Sequence, residues 1–110
     1  MTSPPLDTIT ALLPFHLDDT AEVNATFRRW KQHHAAADKY LIDVWTYCFI
    51  YRFFLARHTA SDGDTPPGFD EFFTIVWTLL HQNLGRVCQV GYANWVAVIC
   101  RNTFASFRPS

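Results

Sequence analysis

Apolar residues recur at spacings of three and four along most of the chain, a pattern typical of amphipathic helices. It predicts helices over residues 20–34, 38–58, 69–84 and 91–107, and it predicts no sheet. The second predicted helix is apolar on nearly every side, which indicates that it lies at the centre of a bundle or faces a partner. We therefore expect an all-α protein, a small helical bundle of about four helices.

A length of 110 residues predicts one domain. Residues 1–17 are rich in proline and are expected to form an irregular N-terminal arm, followed by a single helical domain over residues 18–110. Several apolar side chains of the arm can dock onto this domain: Ile9, Leu12, Leu13 and Phe15. Residues 35–37 are all alanine, and they leave open whether the first two helices are separated by a break or are continuous.

The composition predicts a large aromatic core. Hydrophobic residues make up 49% of the chain and charged residues 17%, so the chain can bury a sizeable core. Aromatic residues reach 16%, with ten phenylalanines and four tryptophans. A domain this small has difficulty covering so much aromatic surface. We therefore expect a homo-oligomer or a stable complex with another protein.

The charged residues are unevenly distributed along the chain. The formal net charge is −1, so the chain as a whole is not a basic nucleic-acid binder. All ten acidic residues lie at or before Glu71, and the charged residues after it are Arg86, Arg101 and Arg108. This local excess of positive charge predicts a weak attraction for an anion rather than a strong phosphate-binding surface.

The cysteines and the first residues indicate a cytoplasmic protein. Cys48, Cys88 and Cys100 are odd in number and form no Cys-x-x-Cys pair, which favours free thiols in a reducing compartment. Residues 2–6 are polar and rich in proline, unlike a signal peptide. Residues 40–56 are strongly apolar, but Asp43 and Arg52 interrupt them, and we expect no membrane helix there.

No pattern in the sequence indicates catalysis, a metal or a cofactor. The five histidines are not arranged with other ligands at the spacing of a known metal site. Asp70 and Glu71 form a carboxylate pair, but acids at the start of a helix are explained by the helix dipole. The chain has no phosphate-binding glycine loop and no nucleophile elbow, so we do not expect an enzyme.

The last predicted helix carries the most distinctive pattern. Asn94, Arg101 and Arg108 recur every seven residues and therefore share one face, while Trp95 and Ile99 mark a neighbouring stripe that continues at residue 102 or 103. Arginine and asparagine suit phosphates and base edges. The alternative is an ordinary amphipathic core helix with solvated arginines. In either case the spacing of Trp95 favours the core, and its replacement by Ala is expected to cost roughly 3–5 kcal/mol.

Three segments resemble region 2 of bacterial RNA polymerase sigma factors, especially the extracytoplasmic-function class. Residues 51–59 (Tyr-Arg-Phe-Phe-Leu-Ala-Arg-His-Thr) are similar to that family's aromatic and basic helix. Residues 70–77 (Asp-Glu-Phe-Phe-Thr-Ile-Val-Trp) are similar to a helix in which Gln-Glu-hydrophobe-Phe precedes a Trp. Residues 95–104 (Trp-Val-Ala-Val-Ile-Cys-Arg-Asn-Thr-Phe) are close to the family's Trp-Leu-x-x-Ile-Ala-Arg-Asn-Thr run.

The resemblance implies a σ2-like fold over residues 40–108 and a role in transcription. In that family the second segment binds the β′ clamp of core RNA polymerase, and the third helps to open and read the −10 promoter element. The residues implied in binding the polymerase partner are Asp70, Glu71, Phe73 and Trp77. The residues implied in binding promoter DNA are Trp95, Arg101 and Asn102, to which the seven-residue repeat adds Arg108.

The sequence also departs from the family pattern. Pro66 and Pro67 stand where the family has an acidic pair, and Asp70 stands where it has Gln. Basic residues are sparse, and we expect no second DNA-binding domain. We therefore expect a σ2-like transcription factor or accessory subunit that works beside a separate partner. The alternative is a helical protein-interaction module, either a sigma mimic or an obligate oligomer, that does not bind DNA.

Overall fold

The computed structural model of the chain describes residues 9–57, 68–86 and 91–107. In this part of the chain four α-helices follow one another, and a short 3₁₀ turn (Leu84–Arg86) follows the third of them. They are α1 (Thr20–His33), α2 (Ala36–Ala56), α3 (Phe69–Gln82) and α4 (Tyr92–Ser106). The described residues include no strand, so the predicted all-α class and helix order are confirmed.

The first two helices are separate. The Asp19 side chain accepts a hydrogen bond from the Glu22 N–H at 3.3 Å and caps the start of α1. His34 adopts a left-handed conformation with φ 53°, and its N–H bonds back to the Trp30 carbonyl. This residue ends α1, and α2 begins two residues later, at Ala36. The break between the two helices therefore lies at His34, just before the alanine segment. The alanine pattern alone does not distinguish such a break from a continuous helix.

The end of α3 differs from the predicted position. The helix ends at Gln82 rather than Leu84, and Gly85 lies in the 3₁₀ turn instead of stopping the helix. The Asn83 side chain donates a hydrogen bond to the Leu79 carbonyl at 2.8 Å. A side chain that bonds a carbonyl of the last turn competes with further helical hydrogen bonds, which explains the earlier end.

The helix α2 is the centre of the bundle, as its apolar sequence predicts. It packs against α1, α3 and α4. Neighbouring helices in sequence run antiparallel: Lys39 near the start of α2 lies beside His81 at the end of α3, and Tyr51 lies against Phe69 at the start of α3. All eight of its most buried residues lie between Ile42 and Phe54.

The core is aromatic along its length. In the half that contains the end of α4, the Phe72 ring lies 5.0 Å from the ring of Phe54 and 5.8 Å from that of Phe104. Two cysteines lie in the core as free thiols, and burial raises the pKa of Cys48 to about 11 and that of Cys100 to about 12. Cys88 lies outside the described residues.

Tyr92 joins three helices in the other half of the core. The Thr46 hydroxyl donates to the Ile42 carbonyl at 2.6 Å, so it accepts from the Tyr92 hydroxyl, which lies 2.7 Å away. The Tyr92 ring stacks on Phe27 of α1 with centroids 4.5 Å apart. Burial raises the pKa of Tyr92 far above its usual value, so the phenol stays protonated and keeps its donor role.

The start of α4 is capped by a residue of another helix. Gly91 precedes α4 with φ 79° and has no side chain to cap it, and the Asn24 side-chain oxygen accepts the Ala93 N–H at 2.9 Å. A Cβ added to Gly91 would lie 2.8 Å from the Asn24 amide nitrogen. Asn24 on α1 therefore caps α4 in place of a local residue, although it lies 69 positions from Ala93 in the sequence. Its closeness to Gly91 also means that position 91 requires glycine.

The N-terminal arm docks mainly as predicted. Leu13 is buried, and Ile9 and Phe15 pack partly buried against the core. Leu12 does not dock, since 55% of its surface is exposed. Leu17 is also buried, and its carbonyl accepts a hydrogen bond from the Trp45 indole N–H at 2.9 Å. This bond satisfies the only polar group of a fully buried tryptophan.

Replacing Asn24 with Ala is expected to destabilise the protein by about 1–2 kcal/mol, because it leaves the Ala93 N–H of α4 without its acceptor. Urea unfolding followed by circular dichroism measures this difference. The control is Asn94→Ala, which removes an exposed amide from the same end of α4 and should change stability by less than about 0.5 kcal/mol. Equal losses in the two variants would contradict the assigned cap.

Candidate partner and nucleic-acid surfaces

The start of α3 presents two exposed carboxylates. Asp70 and Glu71 lie in its first turn, after the cap position Gly68, which has φ 89° and no side chain that could accept a hydrogen bond from the helix. Both negative charges therefore lie at the positive end of the helix dipole. The exposure of both side chains leaves this pair accessible to a partner.

The two aromatic residues predicted beside the acidic pair support the helix from its α2 side. Phe73 is half-buried and its ring lies 5.2 Å from the Tyr47 ring of α2. Trp77 stacks on Phe73 with centroids 5.2 Å apart, and His81 continues the row at 4.6 Å from Trp77. These side chains fix the position of α3 against α2, and therefore the place on the surface where its first turn carries the two carboxylates.

The outer face of α4 presents polar side chains, as the sequence predicts. Asn94, Arg101 and Asn102 are exposed. Thr103 is buried, so the packing stripe left open between residues 102 and 103 continues through Thr103. Arg101 has no ion pair within the described part of the chain.

Trp95 lies at the edge of this face, and its side chain is neither fully exposed nor fully buried. It is half-buried, packs against the core and lies 6.0 Å from the Tyr92 ring. The predicted contribution to the core is therefore partial. Two other arginines of interest are not placed: Arg108 lies outside the described residues, as does the side chain of Arg86.

The acidic start of α3 (Asp70 and Glu71) lies near the part of α4 that carries Arg101, at one end of the α3–α4 hairpin. The Phe72 ring lies 5.8 Å from Phe104 and 5.5 Å from Phe107, so the start of α3 lies beside the end of α4. Asp70 and Glu71 are thus nearer to Arg101 than to Asn94, which is at the other end of α4. A ligand that covers this end of the hairpin meets both signs of charge.

The structure adds one basic residue that the sequence reasoning missed. Arg57 follows α2, and its guanidinium lies 3.5 Å from the centroid of the Phe53 ring and 5.9 Å from that of Phe104. Arg101 precedes Phe104 by three residues and neighbours it on α4. Arg57 therefore adds a positive charge beside the C-terminal half of α4. The spacing of Phe53 and Arg57, four residues apart, is the signal that could have found this contact.

The described residues contain no group of three or more histidines, cysteines or carboxylates close enough to hold a metal ion. Among the same residues, no helix combines the length and the apolar character that crossing a membrane requires. The fold defines the class of this protein as a small all-α helical bundle. Comparisons of the chain with family models, with curated proteins and with solved structures find no match. Its function is therefore argued from its own surfaces.

Replacing Trp95 with Ala is expected to cost about 3 kcal/mol, the lower end of the range for a buried tryptophan, because one side of the indole is solvated. Chemical unfolding measures the loss. Tyr40 offers a matched control, since 52% of its surface is exposed, and Tyr40→Ala should be nearly neutral. A neutral Trp95→Ala variant would show that the indole contributes no packing energy and is carried for its surface alone.

Proposed function

We propose that this protein is a σ2-like transcription accessory subunit that binds core RNA polymerase through the start of α3. The observation that carries the proposal is the joint exposure of Asp70 and Glu71 on a helix fixed by Phe73 and Trp77. The resemblance to sigma region 2 assigns these four positions to the surface that meets the β′ clamp. Exposed carboxylates on a packed helix suit a basic partner surface, because complementary charges steer the encounter of the two proteins.

The finer part of the proposal is that α4 contacts single-stranded promoter DNA. Arg101 and Asn102 are exposed side by side, and no acidic residue follows Glu71 in the sequence to oppose a phosphate on α4. Arginine can hold a phosphate, and asparagine can pair with a base edge. The half-buried Trp95 leaves part of its indole at the same face.

A second function, a protein-interaction module that does not bind DNA, is favoured by the charge. The formal net charge is −1, whereas proteins that bind single strands usually combine a basic track with open aromatic platforms. Trp95 packs against the core and is only partly available as such a platform. Exposed large apolar side chains are also few in the described part of the chain: Leu12, Tyr40 and Ile75. Oligomerisation therefore stays a prediction.

Replacing both Asp70 and Glu71 with Ala is expected to weaken binding to core polymerase roughly three- to tenfold, because two charge pairs at an interface rim are lost. A pull-down of core enzyme by the tagged protein, repeated at several salt concentrations, measures the change. The control variant Glu22→Ala removes an exposed carboxylate from the first turn of α1 and should bind normally. Unchanged binding in the Asp70/Glu71 variant would favour the interaction module.

Neutralising Arg101 and Arg108 is expected to lower affinity for a promoter-like single strand and to reduce its salt dependence by about two counterions, because each arginine displaces one. Filter binding at low salt, with and without core polymerase, measures both quantities. Arg28→Gln/Lys31→Gln, which removes two exposed charges from α1, should leave the salt dependence close to that of the wild type. If the wild-type protein binds no strand under either condition, the DNA part of the proposal fails and the polymerase part is judged by the pull-down.

A further inference from the structure

We propose that a groove on the C-terminal half of α2 binds an acidic, apolar peptide segment of a partner protein. The groove has a volume of about 270 Å³ and is lined by Phe49, Arg52, Phe53, Ala56 and Arg57. These positions follow one another at spacings of three, one, three and one, so they form a single face of the helix. This α2 groove is separate from the acidic start of α3, and it adds an interaction to the function proposed above.

The charges of the groove are positive. Arg57 is exposed and has no ion pair within the described residues. Its guanidinium is already held in place by the Phe53 ring at 3.5 Å and by a hydrogen bond to the Phe53 carbonyl at 3.3 Å. A stacked guanidinium keeps other N–H groups at its edge, and this fork matches a carboxylate. Arg57 is therefore a pre-placed receptor for an acidic side chain.

The aromatic floor suits aliphatic side chains better than nucleic-acid bases. The Phe49 ring is stacked between Trp45, at 5.1 Å, and Phe53, at 6.4 Å. Phe53 is in turn stacked on Phe72 at 6.1 Å and covered by Arg57. A base needs an open ring face on which to stack, and Phe53 is only 9% exposed and lies under the Arg57 guanidinium. The half-buried Phe49 ring and the exposed Ala56 methyl group remain, which a leucine or phenylalanine side chain can cover.

The N-terminal arm shows how such a segment binds this face. Leu17 is buried, and its carbonyl accepts the Trp45 indole N–H at 2.9 Å. The next residue, Asp18, pairs with Arg52 at 2.8 Å, and the hydrogen bond and charge of Arg52 hold the pKa of Asp18 below its usual value. An apolar residue followed by an acid thus covers the face at Trp45 and Arg52.

The groove continues the surface that the arm covers. Trp45 lies one turn before Phe49 on α2, and Arg52, which binds the arm, also lines the groove. Beyond the arm the same chemistry is repeated, with Phe49 and Phe53 as the apolar floor and Arg57 as the charge. A partner segment in which Leu or Phe lies next to Asp or Glu would therefore extend the contact made by Leu17 and Asp18.

The proposal is tested with a fluorescent peptide of about 12 residues, with Leu and Phe at helical spacing and Asp and Glu at the other positions. Anisotropy titration against the full-length protein measures affinity. One control peptide has Lys in place of the acids, a second has Ser in place of Leu and Phe, and an oligothymidylate of similar length represents nucleic acid. The acidic, apolar peptide is expected to bind most tightly.

Variants at Ala56 separate charge from folding. Ala56 is exposed at the last position of α2, where the helix dipole favours Lys over Glu by no more than about 1 kcal/mol, so Ala56→Glu and Ala56→Lys should both fold. Ala56→Glu is expected to weaken binding of the acidic peptide about tenfold relative to Ala56→Lys. Arg57→Gln should weaken it by a similar factor, whereas Arg28→Gln on α1 should leave it unchanged.

Three results would overturn the proposal. They are equal affinity of the acidic and lysine peptides, equal affinity of the two Ala56 variants, and binding of the oligothymidylate alone with loss in Arg57→Gln. The last result would assign the groove to nucleic acid. None of these results depends on whether the Asp70/Glu71 variant still captures polymerase, so the two proposals can fail separately.

Discussion

The placement of α4 depends on the buried contacts around its first two residues. Tyr92 donates to Thr46 of α2 and stacks on Phe27 of α1, and the next residue, Ala93, donates its N–H to Asn24 of α1. A helix start otherwise leaves its first N–H groups without acceptors, and α4 has no cap of its own. These contacts fix both the position and the rotation of α4, because neighbouring helices hold the Tyr92 ring and the backbone N–H of the next residue, Ala93.

The rotation of α4 decides which of its side chains can bind a partner. With Tyr92 and Ala93 turned inward, helical geometry brings Val96, Cys100 and Thr103 to the same buried side. Arg101 and Asn102 are then outside, and Trp95 lies between the two sides. The polar surface of this helix is therefore a consequence of its buried tyrosine. A change that loosens the junction would disturb that surface even though it lies two or three turns away.

Local patterns and distant contacts differ in how well the sequence predicts them. The spacing of apolar residues predicted α1 and α3 to start at residues 20 and 69, as they do, because burying one helical face requires that spacing. The break at His34 was left open, since a left-handed histidine has no strong sequence signal. The cap from Asn24 joins residues 69 positions apart, and no periodicity reports such a pair. Of the candidate site, the spacing on α4 predicts the polar face that holds Arg101, whereas the position of Arg57 beside α4 depends on the tertiary placement of Phe104.

The charges at one end of the α3–α4 hairpin restrict how any nucleic acid can lie. Phosphates that approached the start of α3 would meet Asp70 and Glu71, and charges within about 10 Å interact appreciably at ordinary salt. A strand held by Arg101 is therefore favoured to run along α4 towards Asn94 and Trp95, away from α3. A protein partner is under no such restriction, because it can place basic residues against the carboxylates and acidic residues against Arg57 and Arg101. The mixed charge at this end of the α3–α4 hairpin thus favours a protein partner at that end. A single strand of nucleic acid is better suited to the outer face of α4.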